Sequence, residues 1–229
     1  MAQRLLELMY AAKAAADPGQ TDAAIDSFEA TGGISFSTRQ REAIRDALAH
    51  GLLVITGGPG TGKTTIINCI IALLRQQGEH VLLCAPTGRA AKRMAEATGQ
   101  PASTIHRLLE FEGDSGEFAH DESDPLDAGC VIVDETSMVD LMLMRSLLRA
   151  IDPGTRLILV GDADQLPSVG AGNVLGDILQ SGVLPCVRLT DIYRQSEQSR
   201  IVTNAHRINH GEMPLLNEKG TDFFFERKE

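Results

Sequence analysis

Residues 54–65 read VITGGPGTGKTT. The segment from Gly57 to Thr64 fits the pattern G-x-x-x-x-G-K-[S/T], and it lies between an apolar run that predicts a strand and a stretch that predicts a helix. Glycines let consecutive backbone N–H groups curve around phosphate oxygens, and the following helix adds the positive end of its dipole. The stretch therefore predicts a phosphate-binding loop, and it leaves open what the nucleotide is used for.

The residues of this loop have separate expected tasks. Lys63 is expected to neutralise the β- and γ-phosphates, and the Thr64 hydroxyl is expected to take a magnesium position. The chemistry is that of a nucleoside triphosphate with Mg²⁺. The predicted nucleotide-binding residues of the loop are Gly57, Gly58, Pro59, Gly60, Thr61, Gly62, Lys63, Thr64 and Thr65.

Apolar runs alternate with helical segments along the chain. The runs predict strands at 52–56, 80–85, 130–134, 156–162 and 186–190. Because the first four are each followed by a helical segment, the pattern indicates an α/β fold with a parallel sheet covered by helices on both faces. The stretch EFEGDSGEFAH interrupts the alternation, and it predicts a small inserted hairpin around an Asp-Ser-Gly turn.

Composition and charge limit the partners. The net charge is −10, so a nucleic-acid site has to be a local basic patch on an otherwise repelling surface. No apolar run is long enough to cross a bilayer, so no membrane partner is expected. The cysteines are far apart in sequence, which predicts buried thiols in a reducing, cytoplasmic setting. They are Cys69, Cys84, Cys130 and Cys186.

Asp134 and Glu135 follow the third apolar run. Parallel strands present their carboxyl ends at one edge of a sheet, which is also the edge that carries the glycine loop. Asp134 is therefore expected to hold Mg²⁺, directly or through water, and Glu135 to activate the attacking water. The alternative is a helix start, since both residues favour a first turn. The phosphate loop and the acidic pair together are compatible with several protein classes, namely kinases, transporters, GTPases and helicases.

Seven ordered segments narrow this choice. They read SFSTRQREAI, ITGGPGTGKTT, LLCAPTGRAAKRM, TIHRLL, VIVDETSM, LVGDADQLPSVGAG and LTDIYRQ. Over roughly residues 25–215 the chain resembles the first motor domain of superfamily 1 DNA helicases. The sequences GDADQLPSVGAG and STIHRLL are most similar to those of the RecD-like branch, which includes the helicase parts of TraA-type relaxases. The resemblance implies a RecA-like P-loop NTPase fold, ATP and Mg²⁺ as cofactors, and 5′-3′ movement on single-stranded or tailed duplex DNA.

The resemblance also assigns tasks to single residues. Gln40 would read the adenine, and Gln165 would contact the γ-phosphate. Arg194 would stabilise charge on the transferring phosphoryl group, and Tyr193 would stack on the base. Each assignment has a plainer alternative. Gln40 would be an exposed helical glutamine, Gln165 a loop amide bonded to backbone, and Arg194 a surface ion pair, while Tyr193 would be a core residue.

DNA contacts are predicted in APTGRAAKR and STIHR, where backbone N–H groups and polar side chains can meet phosphate oxygens. The candidates are Pro86, Thr87, Gly88, Arg89, Thr104 and His106. Arg89, Lys92 and Arg93 share one predicted helix face, which would form either a positive DNA patch or an ordinary solvated surface. Base stacking needs aromatic side chains, and this region has almost none. We therefore expect contacts mainly to the DNA backbone.

Three parts are expected along the chain. They are a helical lead-in at 1–32, a motor domain at 33–215 with a hairpin inserted at about 108–127, and an exit segment at 216–229. Family members carry two motor domains, so the sequence is expected to be a fragment that is nearly inactive alone. The leading hypothesis is an ATP-dependent 5′-3′ DNA helicase of the RecD-like type. The alternatives are a nucleotide-gated DNA clamp or regulator without translocation, and the helicase part of a conjugative relaxase. Protein partners are not indicated.

Overall fold

The computed structural model describes residues 1–11, 17–113, 116–191, 199–216 and 222–223. In this part of the chain a six-stranded sheet has the order β3-β2-β6-β7-β1-β8, and all of its pairs are parallel. A separate antiparallel hairpin joins β4 and β5. The strands are β1 (Leu52–Gly57), β2 (Val81–Ala85), β3 (Ser103–Thr104), β4 (Phe111–Glu112), β5 (Glu117–Phe118), β6 (Cys130–Val133), β7 (Arg156–Gly161) and β8 (Cys186–Leu189).

Helices lie on both faces of the sheet. They are α1 (Ala2–Tyr10), α2 (Pro18–Gly32), α3 (Thr38–Ala49), α4 (Lys63–Gln76), α5 (Gly88–Thr98), α6 (Ile105–Leu108), α7 (Leu141–Arg149), α8 (Val174–Ser181) and α9 (Arg200–Asn209). Side chains of β1 alternate between the two resulting cores. Leu53 and Ile55 pack with residues of α2 to α5, whereas Leu52 and Val54 pack with residues of α1, α6, α7 and α8. The predicted α/β fold with an inserted hairpin is confirmed.

Local sequence signals explain where several helices begin. Ser37 caps α3 in a capping box with Gln40. Thr87 caps α5, and Asp140 caps α7. At the other end of α5, Gly99 takes the left-handed conformation with φ 65°, which ends the helix at low steric cost. These caps place the helix starts next to the strand ends that carry the polar residues described below.

The N-terminal residues pack on the domain. Within the predicted helical lead-in at 1–32 the structure has two helices, because α1 ends at Tyr10 and Pro18 begins α2. Leu5 and Leu8 of α1 are buried in the core beneath β1. No helix in the described ranges is long and apolar enough to cross a bilayer.

Two expectations about the sheet were wrong in detail. The five predicted strands all form, but β3 was missed because two residues are too few to show a period. Cys186 was expected to be buried, yet it is exposed. It lies on β8 at the rim of the sheet, where side chains alternate between exposed and buried positions. The other three thiols are buried as predicted.

Candidate active site

Three neighbouring strands end in polar residues at one edge of the sheet, called here the C-terminal edge. The strand β1 leads into the glycine loop, β6 leads into Asp134 and Glu135, and β7 leads into Asp162. The order β6-β7-β1 sets these ends side by side. The negative charges of all three carboxylates raise the pKa of the Lys63 ammonium and so favour its charged form. The structure thus brings together the phosphate loop and the acidic pair.

The glycines of the loop are required by close approach or by backbone conformation. A Cβ on Gly57 would lie 2.8 Å from Thr61 Oγ1 and 2.9 Å from the Leu189 carbonyl oxygen. Gly60 and Gly62 have φ values of 78° and 83°, in the region that glycine enters at low cost. The tight curve that results leads into the N-terminus of α4, where the first backbone N–H groups of a helix are available to an anion. A polyphosphate fits this arrangement of donors.

Lys63 folds back over the loop. Its Nζ donates to the carbonyl oxygens of Gly57 (2.5 Å) and Gly58 (2.9 Å). Burial lowers the pKa of this ammonium, against the opposing effect of the nearby carboxylates. A partly buried cation held by neutral carbonyls is a suitable partner for an anion. The donor set therefore fits the β- and γ-phosphates that the sequence predicted.

Gln40 is buried, with 3% of its surface exposed, so the alternative of an exposed helical glutamine is wrong. Its Oε1 accepts the Ser37 backbone N–H at 2.8 Å, and its Nε2 donates to the Thr61 carbonyl at 3.0 Å. One N–H of the amide remains for another acceptor. The residue predicted to read adenine thus also joins the start of α3 to the phosphate loop.

The acidic pair has a strained backbone. Asp134 donates its N–H to the Cys84 carbonyl at 2.9 Å, and its Oδ1 accepts the Glu135 N–H at 2.9 Å. Glu135 has φ 53°, a left-handed value that is uncommon outside glycine. Burial raises the pKa of both carboxyls, and the Asp134 charge raises that of Glu135 further. Strain and shifted pKa values together are typical of a functional site.

A cavity of about 90 Å³ lies in front of this pair. Thr64 and Asp134, the predicted magnesium ligands, both line it, together with Glu135 and Arg93. The Arg93 guanidinium lies 3.9 Å from the Glu135 carboxylate. Arg93 was predicted to share a helix face with Arg89, as either a DNA patch or a solvated surface. Its side chain is 72% exposed, and its guanidinium lies toward the carboxylate pair.

A second cavity, of about 220 Å³, borders the other side of the loop. Gly58, Pro59 and Gln165 line it, as does Asp162. Asp162 is buried, and its Oδ2 accepts from Gln165 Nε2 at 3.4 Å. Asp162 was missed in the sequence. The rule that identified Asp134, a carboxylate directly after an apolar strand, would have found it.

The predicted phosphoryl-transfer arginine, Arg194, and the predicted stacking residue, Tyr193, lie outside the described residues. The candidate DNA residues all lie within the described part of the chain. Thr87 and Thr104 follow or end the neighbouring strands β2 and β3. Each hydroxyl oxygen accepts a capping N–H at 3.2 Å, from Ala90 in one case and Arg107 in the other. Both hydroxyl protons therefore remain to be donated outward.

An aromatic cluster lies at the base of the hairpin. The His106 ring is 5.7 Å from the Phe111 ring and 5.8 Å from the Phe118 ring, and the two phenyl rings are 5.1 Å apart. Phe111 is 46% exposed. The segments APTGRAAKR and STIHR have almost no aromatic residues of their own, but the hairpin brings two phenyl rings to His106. Pairing of β4 with β5 sets Phe111 opposite Phe118 and brings both to His106.

Residues 40–171, more than half of the chain, match the family model described as "AAA domain". The chain is 43% identical over 216 residues to the "ATP-dependent RecD2 DNA helicase" of Deinococcus radiodurans, covering 94% of this chain and 29% of that protein. It is 41% identical over 201 residues to the "RecBCD enzyme subunit RecD" of Mycolicibacterium smegmatis, covering 77% of this chain and 36% of that protein. It thus spans about a third of these relatives.

The fold is also similar to a solved structure, that of the Pif1 helicase from Candida albicans. The TM-score is 0.61 at 26% sequence identity, covering 79% of this chain and 45% of that chain. Fold, loop and ordered segments agree with these matches. The chain belongs to the AAA domain family, with the RecD helicases as its homologues.

Proposed function

We propose that this chain is the first motor domain of an ATP-dependent DNA helicase that moves 5′ to 3′. One observation carries the proposal, namely that a single C-terminal edge holds both sets of residues. The ends of β6, β7 and β1 supply the phosphate loop, the acidic pair and Asp162. The adjacent ends of β2 and β3 supply the candidate DNA residues. Nucleotide and DNA would thus bind next to each other on one rigid sheet.

The nucleotide site divides the work among its residues. Lys63 and the backbone N–H groups of the loop hold the β- and γ-phosphates of ATP. Thr64 and Asp134, which line one cavity, would hold Mg²⁺, and the bound ion would supply positive charge beside the phosphates. Gln40 reads the adenine, and Gln165 contacts the terminal phosphate.

Glu135 accepts the proton of the attacking water. Burial raises its pKa and so makes its carboxylate a stronger base. Arg93, 3.9 Å away, is placed to favour the charged form. Arg194 is proposed to stabilise charge on the transferring phosphoryl group, in keeping with the family resemblance.

The proposed DNA partner is a single strand or a tailed duplex. Thr87 and Thr104 donate hydroxyl protons to its phosphates, beside backbone N–H groups near Gly88. Arg89 is exposed at the start of α5 and adds positive charge. The exposed face of Phe111 offers a nucleobase a surface for stacking.

We further propose the division into a lead-in at 1–32, a motor domain at 33–215 and an exit segment at 216–229. The hairpin insertion at about 108–127 belongs to the motor domain. The free thiols favour a reducing setting such as the cytoplasm. A relaxase-fused helicase would use the same site, and its distinguishing domain would be a separate one.

The proposal is tested with the full-length gene product. ATP hydrolysis should rise when single-stranded DNA is added, and a 5′-tailed duplex should be unwound while a 3′-tailed duplex is not. The polypeptide 1–229 alone should bind nucleotide, hydrolyse it very slowly and unwind nothing. ATP-dependent DNA binding by the full-length protein without turnover or strand displacement would instead favour the nucleotide-gated clamp.

Deleting residues 111–119 in the full-length protein should leave DNA-stimulated ATP hydrolysis near normal and reduce unwinding at least about tenfold. The hairpin is remote from the phosphate loop but follows Thr104 and His106 directly, so it can act as a wedge between strands. Strand displacement and ATP turnover are measured on the same preparation.

The matched control is the double variant Glu112→Ala and Glu117→Ala. These residues face each other across the hairpin. The variant removes two like charges and keeps both phenyl rings, so it should unwind normally. If the deletion unwinds DNA as well as the control does, the hairpin is a surface loop.

A further inference from the structure

The helix α9 places a histidine on the phosphate loop. His206 Nε2 lies 3.1 Å from the Pro59 carbonyl oxygen. A carbonyl only accepts, so Nε2 carries the hydrogen and donates it. The ring also packs on the preceding residue, because a Cβ on Gly58 would lie 2.7 Å from His206 Cε1. One imidazole therefore covers two consecutive residues of the loop.

His206 meets the loop at a different point from Gln40. Gln40 bonds the loop at Thr61, whereas His206 touches Gly58 and Pro59. On the His206 side lies the cavity of about 220 Å³ that Gln165 and Asp162 also line. Gln165 is the residue proposed to contact the terminal phosphate. The imidazole thus borders the end of the site where that phosphate is expected.

The helix that carries His206 is bonded to residues that follow it in the chain. Asn204 is buried, with 1% exposed, and its Nδ2 donates to the Leu215 carbonyl at 3.0 Å. In return, the Leu215 N–H donates to Asn204 Oδ1 at 2.7 Å. At the start of α9, Asp222 accepts the Arg200 N–H at 2.6 Å. These bonds join α9 to residues that follow it in the chain, and His206 joins α9 to the phosphate loop.

We propose that His206 is a positioning residue for the phosphate loop. By donating to Pro59 and packing on Gly58, it keeps this end of the loop in the conformation that accepts a terminal phosphate. It acts through the loop backbone and is not a catalytic residue. The proposal rests on the proposed function, since it requires that the loop bind a nucleoside triphosphate.

The first experiment measures the affinity of the 1–229 polypeptide for Mg·ATPγS and Mg·ADP by calorimetry. His206→Ala should weaken ATPγS binding about tenfold, from the loss of one hydrogen bond and its packing. ADP lacks the terminal phosphate, so its affinity should fall less than about threefold. His206→Gln restores a donor at similar reach and should bind ATPγS within about threefold of wild type.

His210→Ala is the matched control. His210 follows α9 by one residue and is exposed, so its removal should leave both affinities unchanged. Equal losses for ATPγS and ADP in His206→Ala would overturn the role at the terminal phosphate. Wild-type affinity in His206→Ala would overturn the role of His206 and leave the proposed function standing. If the wild-type polypeptide is folded but binds no nucleotide, both the proposed function and the role of His206 are overturned.

The second experiment disturbs the same contact from the loop side, by adding a methyl group at Gly58 against the His206 ring. The φ of Gly58 is not in the left-handed region, so alanine is opposed there by the His206 ring and not by its own backbone. Gly58→Ala should lower both the Tm and the ATPγS affinity. Gly58→Ala with His206→Ala should raise both above the Gly58→Ala values. The Tm is measured without nucleotide. If the two substitutions lower it additively, the His206–Gly58 contact is not the cause of the Gly58→Ala defect.

Discussion

Lys63→Ala is expected to abolish ATP hydrolysis and to weaken Mg·ATP binding at least about a hundredfold while the fold survives. Lys63 is the one lysine in residues 54–65, and its partly buried ammonium donates to the loop carbonyls. No other cation in the loop can replace it at the β- and γ-phosphates. The fold should tolerate the change because removing a desolvated charge costs little packing. Calorimetry, ATP turnover and circular dichroism measure the three parts of this result.

Lys92→Ala is the control for that experiment. Lys92 is 79% exposed on α5, where its ammonium lies 3.9 Å from the Glu96 carboxylate. An exposed pair of this kind contributes little, and the residue is remote from the loop in sequence. Normal binding and turnover are expected. A folded Lys63→Ala protein with normal ATP turnover would refute the assignment of the phosphate site.

Glu135→Gln should reduce ATP turnover on the order of a thousandfold and leave Mg·ATP binding within about threefold of wild type. The amide cannot accept the proton of water, whereas Asp134 remains to hold Mg²⁺. Since burial raises the pKa of Glu135, the wild-type rate should fall as the pH drops through that raised pKa. This acidic limb should be absent from the residual rate of the variant. Turnover is measured across pH, with binding measured in parallel.

Glu96→Gln provides the matched control, because Glu96 is exposed on the neighbouring helix α5. Its turnover and pH profile should equal those of wild type. An unchanged rate in Glu135→Gln would show that another group accepts the proton. Loss of nucleotide binding in that variant would instead show that Glu135 serves the magnesium or phosphate contacts.

Features set by continuous local patterns could be predicted from the sequence. Long apolar runs identified the main strands, and the carboxyl-end rule placed Asp134 beside the phosphate loop. The same rule would have identified Asp162. Alternation along β8, with Val187 and Leu189 inward and Arg188 outward, also marked Cys186 as exposed.

Other features depend on contacts between distant parts of the chain. His206 is 147 residues from Pro59, and nothing in its own segment indicates that contact. The turn of Arg93 toward Glu135 depends on how α5 packs against β2, which pairs with the strand β6 that leads into Glu135. The aromatic cluster needs the hairpin register before Phe111 and Phe118 meet His106. Tertiary packing fixes all three, and a linear pattern does not encode it.

The exposure of Cys186 gives this chain a natural attachment point for a fluorescent probe. The other three thiols are buried, and burial raises the pKa of Cys69 and Cys84 to about 12, so a maleimide dye would select one sulfur. Partial burial also raises the pKa of Cys186, which favours mildly alkaline labelling conditions. Cys186 pairs with Val54, three residues and about 10 Å before the phosphate loop begins. A dye there would report nucleotide binding in real time without occupying the site.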